Sequence, residues 1–166
     1  MLFSLLNLSA HMVQYRRLRA APRGAEGLRR IWGCFLLLSL HCWVWSAAFH
    51  ARDTPLTERG DYLAAAALIA FSVFAAIARA CGPSSVAARL CAAALSIGLV
   101  RHCRYMLFVR FDYGYHMQAC ICLGVAQTLI WLAWALAVSH PQVLAPRALP
   151  TIPAAYLLRA ALPRVR

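Results

Sequence analysis

Five apolar blocks, parted by short polar segments, set what this chain can fold into. They are Leu2–Tyr15, Ile31–His50, Tyr62–Ala78, Val86–Val109 and Tyr115–Val138. A helix needs about 20 apolar residues to cross the hydrocarbon core of a bilayer. The second block meets that length, the fifth is a strong span, and the third is almost pure Ala, Leu, Ile and Phe. The fourth is interrupted by Arg89, Arg101, His102 and Arg104. The first is short and precedes its arginines, the reverse of a signal peptide, so it reads as a clipped or marginal span. The pattern predicts an all-α, polytopic transmembrane helix bundle of about five spans. Residues 1–139 form the embedded domain, and 140–166 form a Pro/Arg-rich cytoplasmic tail whose apolar piece, Ala154–Leu162, is too short to cross.

Composition agrees. Of 166 residues, 63% are hydrophobic and 13% charged, and mean hydropathy is +0.64. Soluble domains run nearer 25% charged. A disordered chain, a secreted disulfide scaffold and an ordinary cytosolic enzyme are thereby excluded. The net charge of +12 comes from seventeen basic residues, all arginine. Their placement decides between nucleic-acid binding and membrane topology. Segments 16–30, 79–89 and the tail hold twelve arginines, while segments 51–61 and 110–114 hold three, with four of the five acids. Arginine-rich short loops stay cytoplasmic. The acidic loops and the amino terminus then face the lumen or exterior, and no soluble basic face remains for nucleic acid.

Chemistry concentrates in Trp43–Asp61, WVWSAAFHARDTPLTERGD. Ser46 and His50 are four apart and share a helix face. Two antiparallel helices joined by a loop of about ten residues bring Ser46, His50 and Asp61 to one lumenal boundary. Neutral imidazole is a good zinc ligand. A carboxylate beside the metal can deprotonate a bound water, and a serine hydroxyl can donate to a developing oxyanion. Such a set suits hydrolysis of an ester or amide near the headgroups. Plainer roles stand beside it: His50 as an interfacial side chain, Asp61 as the N-cap of the third span, and Ser46 bonded back to a carbonyl.

Elsewhere Arg101 and Arg104, three apart, either snorkel to the interface or bind an anionic headgroup. His41, mid-span, reads as packed and hydrogen-bonded. Trp32, Trp43, Trp45, Trp131 and Trp134 suit interfacial belts and packing, and Gly114 suits a tight turn in Arg110–Tyr115. The seven cysteines contain no Cys-x-x-Cys pair and read as small apolar residues buried in the spans. There is no Gly-rich phosphate loop, Gly-x-Ser-x-Gly elbow or repeat.

WVWSAAFHARDTPLTERGDY, then VRFDYGY and WLAWAL, closely resemble the post-GPI attachment to proteins factor 3 family over about Leu2–Leu136. That family lies within the superfamily of alkaline ceramidases and related membrane hydrolases. The resemblance implies a seven-helix protein of the Golgi and endoplasmic reticulum that removes the sn-2 acyl chain from the lipid of GPI-anchored proteins, a phospholipase A2-type step. GPI-anchored proteins and membrane lipids are then its partners. Ser-x-x-x-His followed by Asp carries over onto Ser46, His50 and Asp61. The resemblance implies that His50 is a zinc ligand, Asp61 activates water, and Ser46 is the oxyanion donor. It also implies a signal peptide, a Cys-rich lumenal region and a late His-x-x-x-His on two further spans. No two of His11, His41, His50, His102, His116 and His140 are four apart. An incomplete copy is therefore expected, a fragment, splice form or faulty gene model, that binds zinc poorly and lacks acyl hydrolase activity. The rival readings are a non-catalytic membrane protein associating with GPI-anchored clients, and a ceramidase-like amidase.

Overall fold

In a computed structural model of the chain, residues 2–20 and 26–139 are described. They form five helices: α1 (Leu2–Ala20), α2 (Glu26–Ala51), α3 (Pro55–Cys81), α4 (Val86–Arg104, continued by a π-turn, Tyr105–Val109) and α5 (Tyr113–Ser139). There is no strand among the described residues. Two compact units divide the chain, Met1–Trp134 and Ala135–Arg166, and of the second only 135–139, the end of α5, is described. The boundary expected at 139/140, the tail, and the span of Arg16–Arg30 between Ala20 and Glu26 lie outside the described residues.

Helices α2, α3, α4 with its π-turn, and α5 are long and apolar enough to cross a membrane, and this is a multi-pass membrane protein. The first block forms a helix but is not among these four. Its last turns carry Arg16, Arg17 and Arg19, and Ser4, Asn7, Ser9, His11 and Gln14 interrupt its apolar run. It pairs antiparallel with α2 along most of its length. Ser4 meets Ser46, His11 lies against Phe35 and Trp43, and Arg29 donates to the Arg19 carbonyl. The segment expected as a loop over Arg16–Arg30 is therefore helical up to Ala20 and again from Glu26.

The small residues of α3 explain its central place. Ala64, Ala66, Ala70, Ala75, Ala76 and Ala78 are buried, so neighbouring backbones approach closely, as small residues permit in membranes. Ser72 hydrogen-bonds with Gln127 of α5. Outward faces carry exposed apolar side chains such as Leu90, Ile97, Ile121 and Leu132, which suits a lipid surround.

Both connections at one end of the bundle are three residues long. Between α2 and α3 lie only Arg52, Asp53 and Thr54, not the loop of about ten residues that the polarity of 51–61 suggests. Helix α3 starts at Pro55 because Thr54 and Thr57 form a capping box, and proline at the first position loses no helical hydrogen bond. Between α4 and α5 lie Arg110, Phe111 and Asp112. The Asp112 carboxylate accepts from the Tyr115 amide at 3.0 Å and pairs with Arg110 at 3.8 Å. Gly114 therefore stands in the first turn of α5 rather than in a tight turn.

Candidate functional site

The short connection sets the depths of Ser46, His50 and Asp61. Ser46 is five residues before the end of α2, and Asp61 six residues after the start of α3. At 1.5 Å per residue they sit about 7.5 Å and about 9 Å from the turn, level across the seam. His50 is one turn nearer the end. Asp61 interacts electrostatically with both His50 and Cys42, so the three residues do gather at one end of the α2–α3 hairpin. Asp61 is inside α3, and the N-cap is Thr54, which removes the capping role.

Gly60 lets this seam close. A Cβ there would lie 2.2 Å from Trp45 Cε3 and 2.5 Å from Cδ2 and Cζ3. The indole thus lies flat against the α3 backbone one residue before Asp61 and one before Ser46. Ser46 is buried, and its hydroxyl lies 3.1 Å from that of Ser4, also buried. Its partner is thus a side chain on α1, not a carbonyl of its own helix. Ser4 escaped sequence reasoning because 42 residues separate the pair. A polar residue flanked by Phe3 and Leu5 was the available signal.

Asp61 is only half-buried, and has no hydrogen-bond or ion-pair partner among the described residues. His50 is exposed, with its ring beside Phe49. A solvent-reachable imidazole and an unengaged carboxylate, with a hydroxyl between the helices, can bind and polarise a carbonyl or a water. They do not complete a metal site. A catalytic zinc takes about three protein ligands, and no group of three His, Cys, Asp or Glu among the described residues is placed to hold a metal ion. His50 and Asp61 are the residues here whose chemistry suits one.

A second polar cluster lies at the same end. Tyr62, next to Asp61, stacks on His116 (ring centroids 5.1 Å apart) and on Phe111 (5.4 Å). His116 Nδ1 lies 3.2 Å from His102 Nε2, and its Nε2 lies 3.5 Å from Cys120 Sγ. Both histidines are buried. His102 and Cys120 border a cavity of about 300 Å³ between α3, α4 and α5, otherwise mostly lined by alanine, leucine and glycine. In sequence His102 stands among arginines, and nothing beside His116 marks it. Their sum of positions centres on the α4–α5 turn, which is the signal that pairs them across an antiparallel hairpin.

Other expectations change. His41 is exposed, makes no hydrogen bond among the described residues, and meets Trp45 edge-on at 6.3 Å. Only Cys42 of the seven cysteines is buried; Cys34, Cys81 and Cys122 are exposed, and Cys91, Cys103 and Cys120 are partly covered. The tryptophans do pack: Trp32 stacks on Trp131, and Arg79 lies 5.0 Å over Trp134.

Membrane-spanning helices with a polar His–Asp–Ser site at one end define a class of multi-pass membrane protein, and sequence comparison supplies the family. Residues 1–162 match the model of the Per1-like family, and the chain belongs to that family. Among curated proteins it is similar to the GPI-specific phospholipase A2-like PGAP3 of Cricetulus griseus, 40% identical over 136 residues, 80% of this chain and 42% of that relative. The human protein of the same name is 36% identical over 136 residues, with the same coverage. The Protein PER1 homolog of Schizosaccharomyces pombe is 29% identical over 134 residues, 78% of this chain and 40% of the relative. The chain thus spans about two-fifths of the length of these relatives. No solved structure matches it.

Proposed function

We propose that this chain carries the Ser46–His50–Asp61 portion of a phospholipase A2-type acyl ester hydrolase that remodels the lipid of GPI-anchored proteins in the Golgi, with the endoplasmic reticulum as the other compartment. The observation that carries the reading is Asp61, a half-buried carboxylate with no hydrogen bond or ion pair among the described residues, held level with a serine hydroxyl and close to a histidine. A half-buried carboxylate that is not committed to a hydrogen bond is available to a ligand or a water. The relatives' name, GPI-specific phospholipase A2-like, supports the substrate class.

In this reading Asp61 takes a proton from the water that attacks the ester carbonyl, and Ser46, oriented by Ser4, donates to the oxyanion. As the ester C–O bond breaks, Asp61 returns that proton to the departing sn-2 oxygen, leaving a free fatty acid and a lysolipid. Zinc is part of the proposal through His50, but this chain offers one imidazole and one carboxylate where about three ligands are needed. No step is assigned to the metal. The expected behaviour of the isolated chain is weak zinc binding and no release of sn-2 fatty acid. Metal analysis of the chain purified in detergent tests the first point, and stoichiometric zinc overturns it. Lipid analysis of GPI anchors beside ceramide turnover tests the second. Fatty acid released from ceramide alone favours an amidase. Co-purification of GPI-anchored proteins with unaltered lipid favours a non-catalytic partner.

A further inference from the structure

Most arginines are accounted for by topology or by a protein partner. Twelve lie in the segments the charge bias assigns to the cytoplasm, and near the opposite end Arg110 pairs with Asp112 and Arg59 lies 5.9 Å from the Phe111 ring centroid. Three remain, the connecting-loop residue Arg52 and, within the span, Arg101 and Arg104. Arg101 and Arg104 belong to the α4 end where arginine is disfavoured by the positive-inside bias, and both are exposed. Neither has an acidic or aromatic partner among the described residues.

Their depth sharpens the problem. Arg104 is five residues, and Arg101 eight, before the end of the span at Val109. That is about 7.5 Å and about 12 Å along the helix axis, within the apolar span and on an exposed surface. Three apart, they share a face, and seven residues after Arg101 the same face carries Phe108, 82% exposed. The π-turn, closed by the Arg110 amide on the Tyr105 carbonyl at 3.0 Å, interrupts the α-helix here. Such turns concentrate at functional positions. Arg101, Arg104, Tyr105, Phe108 and Val109, all on this one helix, border an open surface recess of about 540 Å³.

We propose that this recess binds the phosphate of an anionic phospholipid in the adjoining leaflet. The two guanidinium groups, each a planar fork of donors matched to phosphate oxygens, reach toward the headgroup, while Phe108 and Val109 lie beside the acyl chains. The ligand supplies the counter-charge that no described residue provides. The inference goes beyond the hydrolase reading and holds whether or not the chain cleaves lipid.

The full chain is reconstituted in nanodiscs of phosphatidylcholine containing phosphatidylinositol, and the phosphatidylinositol retained on mild extraction is measured by mass spectrometry. Arg101→Gln and Arg104→Gln each reduce retention, by about fivefold per arginine, whereas Arg89→Gln at the far end of α4 leaves it within twofold. Wild-type retention in the R101Q/R104Q double variant overturns the proposal and leaves simple snorkelling. Should that variant fail to fold, a photoreactive phosphatidylinositol on the wild-type chain decides. Labelling of Tyr105–Val109 supports the site, and labelling confined to residues 16–30 overturns it.

Discussion

Two hairpins share one end of the bundle and treat their polar groups in opposite ways. Between α4 and α5 the polar side chains are engaged. Both nitrogens of His116 have neighbours within 3.5 Å, its ring is stacked on Tyr62, and Asp112 is shared between an amide and Arg110. Between α2 and α3 the seam is tighter, with Trp45 against Gly60, yet Asp61 inside it makes no hydrogen bond or ion pair among the described residues. Satisfied polar groups hold a fold together, and a carboxylate kept open in a closely packed seam is available to a ligand. The stacked Tyr62 links the two, since it follows Asp61 in sequence and lies on the ring of His116.

The largest way to break the contrast is at the seam. Gly60→Ala places a methyl inside the Trp45 ring, with fused-ring carbons 2.2–2.5 Å away, so the helices must part. Overpacking of this kind costs typically 1–3 kcal/mol, and more where backbone must move. Thermal unfolding in detergent reads the loss, and the G60A/W45A pair recovers part of it. The matching change in α4, Gly98→Ala, meets nothing within 4 Å and is expected to raise stability slightly, by up to about 1 kcal/mol. Equal losses at the two glycines would show that the α2–α3 seam is no closer than its neighbour.

Next come the polar groups themselves. His116→Ala strips His102 of its buried partner and Tyr62 of its stacked ring, a loss on the order of 2 kcal/mol. Asp61→Asn removes no hydrogen bond and leaves stability within about 0.5 kcal/mol, while in a catalytically complete member it abolishes acyl release. If D61N destabilised as much as H116A, Asp61 would be a structural group and the site reading would fail. A smaller effect is expected at the turn: Thr54→Ala loses the α3 cap and costs about 1 kcal/mol, measurable in the same melts.

Much of this was legible beforehand. The apolar blocks place α2 to α5 within a few residues at most of their ends, since hydropathy over about 20 residues is a strong signal. The spacing of Ser46, His50 and Asp61 predicts their gathering, because a hairpin of antiparallel helices forces it. Helix α3 starts earlier than its polarity suggests, because Glu58, Arg59 and Asp61 have the character of a loop. Thr54-Pro55-Leu56-Thr57 is the local start signal that outranks them. The Ser4–Ser46 contact is of another kind. It depends on which face α1 turns toward α2, and the first block has no amphipathic period strong enough to say. The open state of Asp61 was likewise hidden, since partners are a property of packing and not of spacing.

That contact provides the finest test of the comparison. If Ser4 orients Ser46, it is a positioning residue whose loss touches chemistry more than folding. In Ser4→Ala the Ser46 hydroxyl keeps an alternative, the carbonyl one turn back on its own helix, so stability is expected to fall by less than about 1 kcal/mol. A double-mutant cycle with Ser46→Ala should give a coupling of about 0.5 kcal/mol or more, as contacting hydroxyls do. In a catalytically complete member, Ser4→Ala should lower kcat with KM unchanged, because an oxyanion donor acts in the transition state and not in the ground state. Ser4→Thr, which restores a hydroxyl at the same place, should recover most of that kcat. A fall in stability with kcat intact would make Ser4 a packing residue, and the Ser46 hydroxyl would then be as free of the scaffold as the carboxylate of Asp61.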